Sequence, residues 1–294
     1  MIKKIAFAIP FVFFLLSCGS EKTELEIDQD LNNEASESAQ SQVSEAEDVV
    51  SSPLISVSPD DEVLIFVRQD GAPGMYLGDD GEVHGFYVDL EKMVMDEMGQ
   101  KYKFIPYGDA GPVILGLKSG THHIALAAPD LPGFRSSFNL SMPYEILHFV
   151  TFVQSDNNDI KGSTREELIA SLHGKRVGVQ TQGHIWESLR NEREIELIEY
   201  PTTTKAMEDL DKGLLDAVPD VKRIGLYYAA KEGWDIKPVG EPIISHTITT
   251  AISQRFDNTL IDRYNAALQA IIDDGRRDAL YQSYFGPMGE DVKP

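Results

Sequence analysis

Residues 85–99, GFYVDLEKMVMDEMG, change hydrophobic period partway along, and that change sets the fold class. Gly85 to Val88 is a short apolar run of the kind a buried strand shows, entered from the turn at Asp79-Asp80-Gly81. From Asp89 the period lengthens: Leu90, Val94 and Met98 fall on one helical face, and Gly99 sits where a C-cap belongs. Working outward, Val63 to Val67 reads as a buried strand. Downstream, Tyr102 through Pro106 is the next strand, Val113 to Lys118 a helix stopped at Gly120, and Ile124 to Ala128 another strand. The cycle then restarts with strands at Arg176 to Gln180, Ile195 to Tyr200 and Asp216 to Val218. Helices separate them, one from about Ile185 and one entered through Thr202-Thr203-Thr204. Two strand–helix series predict an α/β fold with parallel sheets, whose ligands sit beyond the carboxyl ends of the strands.

The N-terminus belongs to a different kind of segment. Lys3 and Lys4 precede an apolar run from Ile5 to Leu16. A bilayer core of about 30 Å needs about 20 apolar residues, so this run reads as a secretory signal over residues 1–17 rather than a membrane span. Leu15-Leu16-Ser17-Cys18 resembles the lipobox of bacterial lipoproteins. That resemblance implies cleavage before Cys18, lipidation of Cys18, and a protein anchored to a membrane of the cell envelope on its periplasmic or extracellular face. Residues 18–59 follow as an acidic tether; from Ser20 to Ser52 ten acidic residues face the single Lys22, with no aromatic residue. Such a stretch buries too little to offset its chain entropy and is expected to be disordered.

Composition excludes several roles. The formal net charge of −22 becomes two units more negative once Lys3 and Lys4 are removed, which argues against nucleic acid. Cys18 is the one cysteine, so a lipidated chain keeps no thiol for a disulfide or a nucleophile. Adjacent His122 and His123 point to opposite faces of a strand. His84, His148, His173, His184 and His246 show no ligand spacing, so no metal and no cofactor are expected.

Six motifs in order over residues 62–286 resemble family 3 of the extracellular solute-binding proteins. Gly85 to Leu90 is similar to the family's G-F-D-V-D-L, and Leu117 to Gly120 to its L-x-x-G. Arg135 with Ser141-Met142-Pro143-Tyr144 is similar to R…F-S-x-P-Y, and Leu172 to Gln180 to L-x-G-K-x-V-G-V-Q. Leu215 to Val218 carries D-A-V, and Asp274-Gly275 with Tyr284-Phe285-Gly286 is similar to D-G…W-F-G. The resemblance implies a two-lobe periplasmic-binding-protein fold of type II with two hinge crossings. Residues 60–148 would form the first part of lobe one, 153–245 lobe two and 248–286 the return to lobe one, with a tail at 287–294. The crossings would lie at His148 to Phe152 and Ile244 to Ile248. A ligand enclosed between the lobes favours the closed form, because contacts to both halves exist only there.

Carried over residue by residue, the resemblance places Arg135 on a ligand carboxylate, a task suited to a planar fork of donors. Asp130 stands where the family offers a small hydroxyl. Val221 stands where its amino-group aspartate lies, with Asp220 one residue early. Gly74 replaces an aromatic, with Tyr76 close by, and Gln182-Gly183-His184 replaces the second-lobe G-T. Ala128, Phe134 and Gln180 complete the candidate ligand contacts. Two readings stay open. Asp220 rebuilds the clamp for an amino acid, or the cleft takes a ligand without the ordinary head group. His184, at the start of a helix, is a candidate to hold an anion with backbone amides.

The function implied is capture of a small polar ligand, an amino acid or a related compound, by a monomeric, lipid-anchored, non-enzymatic protein. It would deliver that ligand to the permease of an ABC importer. The alternatives are an enzyme resembling cyclohexadienyl dehydratase, with Asp130 or Glu145 as acid or base, and a sensory ligand receptor.

Overall fold

The structure is a computed structural model that describes residues 53–108, 110–181, 183–286 and 288–294. The signal segment, Cys18, Gln182 and the tether as far as Ser52 lie outside the described residues. Among the described residues no helix is long and apolar enough to cross a membrane. Packing begins ahead of residue 60: Ile55 bridges to Phe256, and Val57 is buried in the first core, because the Gln100 side chain ties the backbone at Ser58, Pro59 and Asp61 to the body.

The chain starts with β1 (Val63–Arg68), a hairpin sheet of β2 (Asp70–Gly71), β3 (Met75–Leu77) and β4 (Val83–His84), and α1 (Phe86–Met98). It continues through β5 (Tyr102–Tyr107), α2 (Ala110–Ser119), β6 (Ile124–Pro129), α3 (Pro132–Ser137) and β7 (Phe138–Leu140). Then come β8 (Glu145–Gln154), α4 (Arg165–Ser171), β9 (Arg176–Gln180), α5 (His184–Leu189), β10 (Glu196–Tyr200), α6 (Thr203–Asp211), β11 (Val218–Val221) and α7 (Lys222–Glu232). The last elements are β12 (Ile236–Ser253), α8 (Asn258–Asp273), α9 (Arg276–Phe285) and a 3-10 turn at Glu290–Val292.

The main sheet runs β11-β8-β12-β6-β1-β5, with β7 also on β12. β1 pairs in parallel with β5 and β6, whereas β12 is antiparallel to β6 and β8, so the sheet is mixed. β9 and β10 form a separate parallel pair, linked to the segment before β11 by the Val177–Ala217 bridge. The crossings are longer than their sequence signals. β8 and the 18-residue β12 pair from Gln154 opposite Ile236 to Glu145 opposite Ile248, with an irregularity between Val239 and Ile244.

Each lobe has its own core. Ile65, Phe86, Val94, Tyr264 and Leu268 pack on one face of the first-lobe strands, and Phe66, Val113, Leu117 and Phe138 on the other. In the second lobe Leu168, Val177, Val179 and Leu189 form one cluster, and Phe152, Met207, Leu210 and Val218 another. Burying a large aliphatic or aromatic side chain of this kind contributes about 1.5–3 kcal/mol, so these clusters hold each lobe together.

Two element expectations are corrected. Phe86 to Val88 is the first turn of α1, not a strand. Gly85 turns the chain at φ 117, with the Gly74 carbonyl oxygen 2.5 Å from where a Cβ would stand, and the amides of Phe86 and Tyr87 donate to the Pro73 and Gly74 carbonyls. All three side chains are buried, and an unbroken apolar run looks the same in a buried helix turn as in a buried strand. Asp216 precedes β11 instead of opening it, because its carboxylate is held by the Arg176 amide at 2.8 Å and by the Arg176 guanidinium.

Candidate functional site

β6 delivers the first group of site residues. Ala127 takes a φ of 54 where β12 shifts register against β6, and the Ala128 carbonyl accepts the Thr249 hydroxyl at 3.0 Å. The Asp130 amide then donates to the Thr247 carbonyl at 2.8 Å, fixing Asp130 beside the crossing strand β12. Pro132 opens α3, one turn of which brings the Arg135 guanidinium back onto Asp130 Oδ2. The Arg135 side chain is 67% exposed and that of Asp130 13%, so the arginine is the accessible member of the pair. Asp130 Oδ1 is buried and has no hydrogen-bond partner. Phe134 tilts onto Phe138 at 5.9 Å and packs against the first-lobe core, so it supports α3 more than it faces solvent.

The second lobe contributes through the turn after β9. The Gly183 amide closes on the Gln180 carbonyl at 3.0 Å and Gly183 N-caps α5, which places His184 first on that helix. The His184 ring lies 4.8 Å from that of His246 on β12, and both sit against Phe149. Burial holds both imidazoles below the usual histidine range, and for His246 the neighbouring His184 adds to it. His246 Nε2 is a second buried atom without a partner. His246 directly precedes Thr247, whose carbonyl anchors the Asp130 amide. β12 thus carries His246 next to the residue that anchors Asp130, and Asp130 Oδ1 and His246 Nε2 are each buried without a partner. Gln180 is exposed at the edge of this region, its amide 3.5 Å from the Pro201 carbonyl.

Two further candidates sit on other strands. Tyr76, on β3, tilts onto His84 at 5.7 Å. Asp220 opposes Val150 on β8 just as Val218 opposes Phe152, so its carboxylate turns to the same buried side of β11 as Val218 and away from Val221. There Asp220 Oδ1 accepts the Val221 amide at 2.7 Å. Burial pushes the carboxyl up to about 7, against the pull of that hydrogen bond and of Arg223. Among the described residues no group of three or more His, Cys, Asp or Glu is placed to hold a metal ion.

Sequence reasoning missed a buried polar triad that joins the lobes. Tyr87 on α1 donates its hydroxyl to Glu145 Oε2 at 2.7 Å. Arg223 on α7 donates Nε to Glu145 Oε1 at 2.6 Å, and its Nη2 reaches the Tyr87 oxygen at 2.7 Å and Oε2 at 3.2 Å. The Glu145 and Arg223 side chains are 0% and 8% exposed, so Glu145 is a structural counter-ion and is not free to act as an acid or base beside Arg135. The available signal was Tyr87 itself, which stands where the G-F-D-V-D-L motif carries an acid. Along the triad opens a cavity of ≈ 700 Å³ between α7, the edge of β8 and α9; none of the candidate ligand contacts predicted from sequence lines it.

Comparison with known proteins agrees with this architecture. Residues 63–287 match the model of the bacterial extracellular solute-binding proteins, family 3. The L-cystine-binding protein TcyJ of Escherichia coli K12 is 24% identical over 226 residues, covering 76% of this chain and 82% of that protein. A histidine kinase sensor domain with similarity to periplasmic binding proteins superposes with a TM-score of 0.64 at 20% identity, covering 79% of this chain and 98% of that one. An ancestral amino-acid-binding protein described as a precursor of cyclohexadienyl dehydratase superposes at 0.63 with 22% identity, covering 76% and 95%.

Proposed function

The chain belongs to the bacterial extracellular solute-binding proteins, family 3, and from that premise we propose that it captures an amino acid or a related polar solute between its lobes and passes it to an ABC importer. In this reading lipid on Cys18 holds the protein at the membrane and the acidic segment gives it reach. The ligand's carboxylate sits on Arg135. A donor group on the ligand satisfies Asp130 Oδ1, and the crossing strand places His246 and His184 against the rest. The observation that carries the reading is the accessible Arg135 guanidinium, held on Asp130 Oδ2 beside β12, with Asp130 Oδ1 buried and without a partner. A buried polar group left unsatisfied costs about 1–3 kcal/mol, and a ligand that supplies the missing hydrogen bond recovers it.

Against the dehydratase alternative stands the engagement of Glu145, both of whose oxygens are taken by Tyr87 and Arg223. The test is a thermal-shift screen of the purified chain with amino acids, polyamines, small carboxylates and prephenate. A ligand at 100 times its Kd adds about 2.7 kcal/mol, a shift of several degrees. Stabilisation by amino acids supports the proposal. A response to other solutes alone, or consumption of prephenate, defeats it.

A further inference from the structure

We propose that Arg223 is a latch between the lobes, which holds them in this arrangement in the ligand-free chain without waiting for a solute to bridge them. The residue lies in the first turn of α7, a helix whose Ala229 packs in a second-lobe core cluster. Its guanidinium, however, is seated on groups of the first lobe. Nε donates to Glu145 Oε1 at 2.6 Å and Nη2 to the Tyr87 oxygen at 2.7 Å, while the ring of Phe285 lies 4.3 Å away, that of Tyr87 5.3 Å and that of Phe86 6.0 Å. Phe86 and Tyr87 belong to the first-lobe core, and Phe285 packs against it. Three rings within about 6 Å of one cation make an aromatic seat, and a guanidinium is the cation that enters it at least cost because it is weakly hydrated.

Opening the lobes would withdraw Arg223 from this seat. Glu145, fully buried at the start of β8, would be left with the Tyr87 hydroxyl as its donor beside the rings of Phe86 and Phe285, and a carboxylate without its counter-ion is strongly disfavoured there. The C-terminal turn adds a second tie next to the first. Met288 and Val292 pack against the first-lobe core, the Asp291 carbonyl accepts Nε2–H of His148 on β8 at 2.7 Å, and Asp291 Oδ2 stands 3.8 Å from Nζ of Lys222, the neighbour of Arg223. Tyr87 stands where the G-F-D-V-D-L motif carries an acid, so the hydroxyl that receives Arg223 is a feature of this chain. A solute that closes open lobes spends part of its differential affinity on the closing. Lobes already held together by their own contacts leave that affinity for binding.

Electron–electron distance measurement between two spin labels tests this in the full chain with no solute added, after co-purified solute is removed by unfolding in urea and refolding. The labels go on Lys118→Cys in the first lobe and Asn191→Cys in the second, both exposed positions, in a Cys18→Ser background that leaves no other thiol. One distance is expected to dominate, with any second population below about 10%. Arg223→Met removes the charge and keeps the bulk, and it is expected to shift the ratio of the two populations at least about tenfold towards the second. Tyr87→Phe removes a single hydroxyl and is expected to shift the ratio in the same direction by less, which keeps the test in force should Arg223→Met not fold. Comparable populations in the parent, or an unchanged distribution in the variants that fold, would overturn the latch. Because no solute takes part, either result leaves the reading of the Arg135 cleft to its own test.

Discussion

Arg223 and Glu145 stand 78 positions apart in the chain, yet the arginine Nε donates to Glu145 Oε1 at 2.6 Å, with almost no water access to either side chain. The pair fastens the start of α7 in one lobe to the start of the crossing strand β8, and through Tyr87 to α1 in the other. Removing one partner leaves a buried charge uncompensated, which costs about 3–5 kcal/mol. Arg223→Ala is expected to destabilise by that amount in urea unfolding. The double replacement Arg223→Met with Glu145→Leu is expected to lose clearly less, since no lone charge remains. A single variant as stable as the parent would mean the pair does not hold the lobes.

The pH dependence of stability follows from two buried carboxyls. Glu91 on α1 accepts the Tyr264 hydroxyl at 2.6 Å on Oε2 and has no partner on Oε1; burial pushes it up to about 8, opposed by that hydrogen bond. Asp220 is pushed up to about 7. Each keeps its proton in the fold at a pH where the unfolded chain, titrating near 4.5 or 3.8, has lost it. Unfolding therefore releases protons, and stability falls as pH rises towards the folded values. His184 and His246, lowered in the fold, act oppositely, but only below the ordinary histidine value of 6.5. From pH 7 to pH 8 Glu91 is left to act, with a slope on the order of 1 kcal/mol per pH unit. Urea midpoints should drop across that interval in the parent and stay level in Glu91→Gln. A rise in the parent would contradict the assignment.

How much of this was legible depends on sequence separation. Local period alone is enough to mark α8: Ile261, Tyr264, Leu268 and Ile271 recur at helical spacing, and Tyr264, Leu268 and Ile271 are buried with Ile261 and Ile272 partly buried beside them. The junction of Asp130 and Arg135 was within reach because five residues and a proline-started turn bring them together. His122 and His123 diverge as adjacent residues should, one ring stacking on Phe66 and the other on Phe256. The triad was not legible, since its members come from α1, β8 and α7 and no local pattern pairs Tyr87 with Arg223 across 136 residues. The face of Asp220 was equally hidden, because a side chain's direction on a four-residue strand depends on the register against β8.

Gly225 explains how closely α7 approaches the crossing strand. A Cβ there would stand 2.3 Å from Phe152 Cζ, on a ring that is fully buried, and 2.9 Å from Met207 Cε. Alanine would gain about 1 kcal/mol of helix propensity, but overpacking a tight core costs about 1–3 kcal/mol and Phe152 has nowhere to turn. Gly225→Ala is expected to lower the Tm, with α7 displaced enough to loosen Arg223 from Glu145. An unchanged or raised Tm would show that the contact relaxes freely.

The cleft pair makes a prediction whose two variants answer different questions. Arg135 is accessible and Asp130 is not, so under the proposed function the arginine is the member of the pair that would meet the ligand, with Asp130 holding it from beneath. Arg135→Ala should weaken binding of whichever amino acid the screen returns by about 1.5–3 kcal/mol, the value of a charged hydrogen bond. Asp130→Asn removes the charge that would repel a bound carboxylate, but it also weakens the acceptor at Oδ1 and the grip on Arg135. Because Oδ1 is buried and unpartnered, the second effect should win, and Asp130→Asn should also weaken binding in calorimetric titration. Tighter binding in Asp130→Asn would mean that the group facing Asp130 is anionic, and that the ligand offers no donor to that oxygen.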